Sequence, residues 1–285
     1  MGTRIRAILV PSKKQKAPPG GLVGLFACRK EAEMLDIFCG DCIELMKSMP
    51  NDSIDMILTD PPYCSGGTTA QSRKSETSIK YTAMEYNGAH QFPDFEGDNM
   101  DQRAFTAFMR DALFQCRQLA KPGGVAAVFV DWRNLPALAD ALQMAGWTWR
   151  GVVVWDKGIA RNQPGRFRPD CEYVVWGSNG KMPVNWEMGR PALPGCYRIP
   201  SVPSRQKNHQ TEKPVELLEK LLAICPSGGT VLDPFMGSGS VGVACANAGR
   251  QFVGIELSPE YYGIAERRIS EAEMQAQKAR PGVAP

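Results

Sequence analysis

Asp60-Pro61-Pro62-Tyr63 packs a carboxylate, two prolines and an aromatic ring into four residues. Proline carries no backbone N–H, so such a tip offers acceptors with few competing donors. The Asp60 carboxylate beside the Pro61 carbonyl can accept both hydrogens of an –NH₂ group, which polarises the nitrogen and turns its lone pair toward an electrophile. Tyr63 adds a flat face against which a base can stack. An ordinary proline turn is the plainer reading, but the whole tetrapeptide directly after a short apolar run is far more specific.

The second candidate is Asp233-Pro234-Phe235-Met236-Gly237-Ser238-Gly239-Ser240. It follows an apolar run and opens a helical one, and glycines at 237 and 239 let a backbone turn tightly and approach a ligand, as in nucleotide-binding turns. No lysine follows the glycines, which excludes a P-loop. Gly242 completes a GxGxxG pattern, and Glu256 ends the next strand-like run, where a carboxylate commonly takes ribose hydroxyls. Together they predict a cofactor containing adenosine, with or without phosphates. A dinucleotide-dependent enzyme is a competing class, but it leaves Asp60-Pro61-Pro62-Tyr63 without a purpose.

The nine cysteines are scattered, and the single CxxC, Cys39 to Cys42, has no second pair to complete a zinc site. No metal is therefore expected.

These residues need a scaffold. Strand-like runs at 34–39, 54–59, 125–130, 152–155, 172–176, 230–233 and 251–256 alternate with helical patterns at 42–49, 101–119, 135–145, 213–224, 240–248 and 259–275. The alternation predicts an α/β fold with a doubly wound, mostly parallel sheet. Lys121-Pro122-Gly123-Gly124 ends one helix and launches the next strand. Residues 64–100, rich in Gly, Ser and Thr, read as a long loop. Residues 1–33, broken by Pro18-Pro19-Gly20-Gly21, read as a flexible extension, and 276–285 as a flexible tail. No window holds eighteen consecutive apolar residues, and the basic start makes a poor signal peptide, so a cytoplasmic protein without a membrane partner is expected.

Charge is unevenly spread. From residue 157 to 208 nine Lys and Arg meet three acids, a local balance of +6 against +3 for the whole chain. A concentrated basic segment suits a polyanion surface, where counterion release drives binding, and a solvated basic loop fits equally well.

In their order these blocks resemble the β-class DNA amino-methyltransferases, which act on adenine N6 or cytosine N4. In that family a (D/N/S)PP(Y/F) block precedes an FxGxG block, with the target-recognition region between them; here Asp60-Pro61-Pro62-Tyr63 precedes Phe235-Met236-Gly237-Ser238-Gly239. His209-Gln210-Thr211-Glu212-Lys213-Pro214 is similar to the family's HxTxKP element, which contacts the methionine end of the cofactor, and Gly40-Asp41 to its cofactor-adenine contact. The resemblance covers roughly residues 34–272.

It implies a Rossmann-like, class I methyltransferase fold with S-adenosylmethionine as cofactor, a catalytic domain from 34–156 and 206–275, and a small basic recognition insert at 157–205. The implied catalytic residues are Asp60, Pro61, Pro62 and Tyr63. The implied cofactor contacts are Asp41, Cys42, Asp60, His209, Thr211, Lys213, Asp233, Phe235, Gly237, Ser238, Gly239, Glu256 and Ser258. Arg161, Arg166, Arg168 and Lys207 are candidates for DNA contact. The resemblance further implies that the target base is flipped out of the duplex, its amine then attacking the sulfonium methyl in line with no covalent enzyme intermediate.

Asp at the first motif position points to adenine N6, with cytosine N4 the alternative and an RNA or protein amine a weaker one. Methylation at cytosine C5 would require a Pro-Cys dipeptide, which the chain lacks. A catalytically silent relative would be expected to have lost Asp60 or the glycines, and both are intact. Partners implied are duplex DNA, with a homodimer and a cognate restriction enzyme as further candidates.

Overall fold

A computed structural model of the protein describes residues 6–9, 35–63, 100–158, 164–165, 167–182, 192–202 and 212–279. The chain opens with β1 (Arg6–Leu9) and β2 (Leu35–Cys39), then α1 (Cys42–Met46) and β3 (Ile54–Thr59). The helix α2 (Gln102–Leu119), β4 (Ala120–Val130), α3 (Leu135–Met144) and β5 (Thr148–Asp156) follow. After β6 (Cys171–Ser178) and β7 (Cys196–Arg198) come α4 (Val215–Leu221), extended by a 3₁₀ turn over Leu222–Ile224, and β8 (Thr230–Asp233). The last elements are α5 (Ser240–Ala248), β9 (Gln251–Glu256) and α6 (Pro259–Ala279).

The strands form one sheet in the order β1-β2-β9-β8-β3-β4-β6-β5-β7. Every pairing is parallel except those of β6, which runs antiparallel to β4 and β5. Helices cover both faces, as a parallel sheet requires. On β3 the alternation is plain: Met56 and Leu58 join the core under α4, α5 and α6, while Ile57 joins the core under α1, α2 and α3. The helix α2 turns Phe105, Met109, Ala112, Leu113 and Cys116 inward, and its first turn is capped by Asp101, whose Oδ1 accepts from Ala104 N at 2.8 Å. No described helix is long and apolar enough to cross a membrane.

Several elements differ from the sequence reading. Lys121-Pro122-Gly123-Gly124 lies inside β4, because the register with β3 jumps from Ile54↔Ala120 to Met56↔Val125 and the glycine-rich stretch is a bulge. Arg6–Leu9, read as part of a flexible extension, pairs with β2. The basic stretch 157–205 is not a continuous insert: β6 threads the sheet between β4 and β5, with Val174 and Val175 buried. The strand-like run read at 172–176 is this element, extended to Cys171–Ser178. Within the same stretch β7 pairs with the edge of β5, and α6 continues to Ala279, beyond the predicted end at 275. Residues 64–99 lie outside the described residues.

Candidate active site

The two motifs leave the sheet from adjacent strands. Both β3 and β8 end at the sheet's carboxyl edge, where ligands of open α/β sheets bind at the point of strand-order reversal. Their tips are tied directly: Thr59 Oγ1 donates to Asp233 Oδ1 at 2.6 Å, across 174 residues of sequence. One cavity of about 690 Å³ spans both tips, running from Gly40-Asp41-Cys42 past the glycine loop to Asp60-Pro61-Pro62-Tyr63. That volume suits a ligand the size of a nucleoside with a side chain attached.

At the β3 end, Lys213 Nζ donates to Asp60 Oδ2 at 2.6 Å and lies 3.3 Å from Glu172 Oε2. The same lysine sits over the Tyr63 ring, 5.0 Å from its centroid, and over Phe129 at 5.2 Å. Tyr63 donates its hydroxyl to Glu172 Oε2 at 3.1 Å, and Asn134 Nδ2 donates to the Tyr63 carbonyl. Lys157 Nζ closes the network on Glu172 Oε1 at 3.2 Å. Asp60 Oδ1 is buried and accepts no hydrogen bond among the described residues.

Burial alone would lower the Lys213 pKa, but Asp60 and Glu172 more than offset it and the ammonium is held charged. Burial raises the Asp60 carboxyl, and Lys213 only partly offsets it. Glu172 is pushed up by burial too, yet two lysines hold it below the ordinary range.

At the β8 end the loop is built from backbone donors. Gly237 N and Ser258 N donate to the two oxygens of Glu256, each at 2.8 Å. Asp233 Oδ1 receives Phe235 N at 3.1 Å besides the Thr59 hydroxyl, and burial pushes its carboxyl up to about 7. Gly237 has φ +54 with nothing within 4 Å of where a Cβ would stand, leaving room for a ligand. Gly239 has another role. A Cβ there would come within 3.0 Å of the Ala265 Cβ and the Ile269 Cδ1, so its lack of a side chain lets α6 pack against the loop.

Of the predicted site residues, Asp60, Pro61, Pro62, Tyr63 and Lys213 line the cavity at one end. Asp41, Cys42, Asp233, Phe235, Gly237, Ser238, Glu256 and Ser258 line the rest. Gly239 stands between two residues that do, Ser238 and Ser240. Lys213 directs its ammonium at Asp60, where a contact with the cofactor's methionine end was expected. His209, Thr211, Arg161, Arg166 and Lys207 lie outside the described residues. Arg168 is described and ion-paired with Asp170 at 3.0 Å. Burial, then the charge of Asp41, pushes the Cys42 thiol up to about 12. Among the described residues no group of three or more His, Cys, Asp or Glu could hold a metal ion.

Sequence reading missed Glu172, whose one signal is a charge opening an otherwise apolar strand. It also missed Phe108, Leu257 and Tyr261 on the cavity wall, and Arg268 behind it. Arg268 Nη1 donates to Ser238 O at 2.7 Å and to Ser238 Oγ at 2.8 Å, and Nη2 to Glu212 Oε1, lashing the glycine loop to the segment before α4. The arrangement suits an adenosine-containing cationic cofactor: carboxylates at one end, a side-chain-free loop at Gly237, and apolar walls at Phe108, Phe235 and Leu257.

A family profile described as DNA methylase matches residues 54–267. The type II methyltransferase M.HinfI of Haemophilus influenzae is 28% identical over 256 residues, spanning 82% of this chain and 68% of that protein. The crystal structure of the M1.HpyAVI–SAM complex superposes with a TM-score of 0.60 at 25% identity, covering 82% of this chain and 98% of that one. The PvuII DNA methyltransferase, cytosine-N4-specific, shares the fold at a TM-score of 0.58 and 17% identity, over 86% of this chain and 93% of that one.

Proposed function

The chain belongs to the N6/N4 DNA methylase family, whose members are S-adenosylmethionine-dependent DNA methyltransferases, and we propose that it methylates N6 of an adenine flipped out of duplex DNA. The observation that carries this reading is Asp60 Oδ1, a buried acceptor with no well-formed hydrogen bond among the described residues, beside the Tyr63 hydroxyl and at the tip of a cavity shared with the glycine loop. Buried acceptors are normally satisfied, so one left open in a site calls for a ligand donor.

The target amine gives one hydrogen to Asp60 Oδ1 and the other to the Pro61 carbonyl, and its lone pair then points away from both. Tyr63 has one ring face occupied by the Lys213 ammonium, and its other face takes the flipped base. The bound cofactor supplies an electrophilic methyl on a sulfonium, a good leaving group, so the protein contributes position and charge with no nucleophile of its own. As the N–C bond forms, the nitrogen becomes cationic and acidic. Asp60, with its proton affinity raised by burial, receives the proton. Asp41 and Glu256 face the adenosine end and Gly237 lets the backbone approach, while Asp233 braces the loop.

Asp at the first motif position favours adenine N6. Cytosine N4 presents the same amine, and the likeness to the PvuII enzyme makes it the second reading. Target recognition is assigned to the basic segments on either side of β6, within 157–205, with Arg161, Arg166, Arg168 and Lys207 as the phosphate or base contacts. Residues 34–156 and 206–275, together with β6, make the catalytic domain. A cytoplasmic enzyme working as a homodimer beside a cognate restriction enzyme fits this reading.

The test is methylation of mixed-sequence duplex DNA followed by mass analysis of its nucleosides. N6-methyladenine is expected; N4-methylcytosine would keep the mechanism and replace the base. Unmodified DNA with methylated RNA or protein would overturn the acceptor.

A further inference from the structure

Glu172 is the second residue of β6 and belongs to none of the motifs that led to the site. It does not line the cavity, yet three of the groups that do, or that support them, converge on it. Its Oε2 accepts the Tyr63 hydroxyl and lies 3.3 Å from Lys213 Nζ, while Oε1 accepts from Lys157. Lys213 also donates to Asp60 Oδ2, and the other Asp60 oxygen has no well-formed hydrogen bond among the described residues. Two acids and two lysines thus form a balanced cluster drawn from the tip of β3, the end of β5, the start of β6 and the segment before α4. Their side chains are at most 21% exposed. Buried ion clusters of this kind contribute little net stability against well-packed apolar residues, because desolvation opposes the Coulomb gain. Their positioning has to be sought in what they hold.

Resting on the methyl-transfer reading above, we propose that Glu172 is a positioning residue for the reaction: by holding Lys213 and Tyr63 from behind, it divides Asp60 into one committed oxygen and one open to the target amine. Without the Glu172 charge, Asp60 is the only acid left on Lys213 among the described residues, and the lysine draws it in undivided. The groups facing Asp60 are Lys213 from the segment before α4, Glu172 from β6, Tyr63 from its own loop and Asp233 from the tip of β8. Removing the one negative neighbour that shares its lysine lowers the proton affinity of Asp60. Asp60 then becomes a poorer acceptor for the amine and a poorer base for the departing proton.

The experiment is Glu172→Gln, which keeps the shape and an oxygen for the Tyr63 hydroxyl while removing the charge. The Asp60 carboxyl is titrated by ¹³C NMR, its signal assigned with Asp60→Asn, and kcat on mixed-sequence duplex DNA is followed against pH. The Asp60 midpoint is expected to move to lower pH, and the acid limb of kcat to move with it. At the plateau kcat falls on the order of ten-fold, the size usual for a residue one contact behind a reacting group, while KM for S-adenosylmethionine stays within about two-fold. Glu172→Asp restores part of the loss. An unmoved Asp60 midpoint overturns the proposal whatever the acceptor is, as does a loss of kcat that tracks a loss of thermal stability and is not recovered by aspartate. A midpoint that moves in a protein inactive on DNA supports the positioning and removes the DNA reading alone.

Discussion

At the glycine loop the ligand-facing turn is held mainly by backbone donors on carboxylates: Gly237 N and Ser258 N meet Glu256 at 2.8 Å over about twenty residues of sequence, and Arg268 ties Ser238 down from behind. At the β3 tip it is held by side-chain charge: Lys213 binds Asp60 across 153 residues, and Tyr63 binds Glu172 across 109. The loop is therefore a shape, sensitive to volume and to backbone conformation. The tip is a charge balance, sensitive to the loss of a single ionised group. Both border one cavity, so a substitution at either end can be read against the other as its control.

The largest effect is expected at the tip. Lys213→Met leaves Asp60 and Glu172 adjacent with no cation between them, and breaking a buried pair by removing one partner costs about 3–5 kcal/mol. Urea unfolding measures that loss. Asp60 then binds its proton more tightly, so residual methylation should appear only at higher pH than in the wild type. An unchanged stability would show that the network is not the charge balance described.

Within the loop the two glycines should separate cleanly. Gly237→Val, at φ +54 and facing open space, is expected to weaken S-adenosylmethionine by about ten-fold or more in calorimetry because the side chain fills ligand space, while its backbone strain of roughly 1–2 kcal/mol is felt in stability. Gly239→Ala, at φ +82, adds backbone strain and also pushes a methyl against Ala265 and Ile269, and is expected to lower stability by about 1–3 kcal/mol. The affinity of what remains folded should change little. Equal effects of the two on binding would erase the distinction.

The smallest effect concerns pH. Asp233 has a carboxyl raised to about 7, so the folded state holds its proton through a range where the unfolded chain has released it. Its contribution to stability is complete below the ordinary carboxyl range and is lost as pH rises through about 7. Asp233→Asn keeps the acceptor for Thr59 and removes the titration. Unfolding free energies at pH 5 and pH 8 should fall less between the two values in the variant than in the wild type; an identical fall in both would remove Asp233 from the account.

The same contrast explains what the sequence discloses. Asp60-Pro61-Pro62-Tyr63 and the Gly237 loop are contiguous, and their strands are short apolar runs with clear helices between, so fold class and both motifs are legible from residue order. Glu172 is not, because its role exists only once β6 is laid antiparallel between β4 and β5; along the chain it is one acid in a basic stretch. Arg268 is hidden for a similar reason, since on its own helix it is one of several charges and it meets Ser238 and Glu212 only through the packing of α6. Lys121-Pro122-Gly123-Gly124 misleads in the opposite sense: local turn chemistry is strong, and pairing with β3 overrides it by absorbing the residues as a bulge.

The most direct test of the account is the initial rate of labelled methyl transfer from S-adenosylmethionine to duplex DNA, compared between wild type and Asp60→Ala, with cofactor affinity measured on both. Removing the acceptor at the tip should lower the rate by at least on the order of 10²- to 10³-fold while the affinity for S-adenosylmethionine stays within a few-fold. A variant that methylates DNA at close to the wild-type rate would contradict it, because the amine would then be activated somewhere other than Asp60.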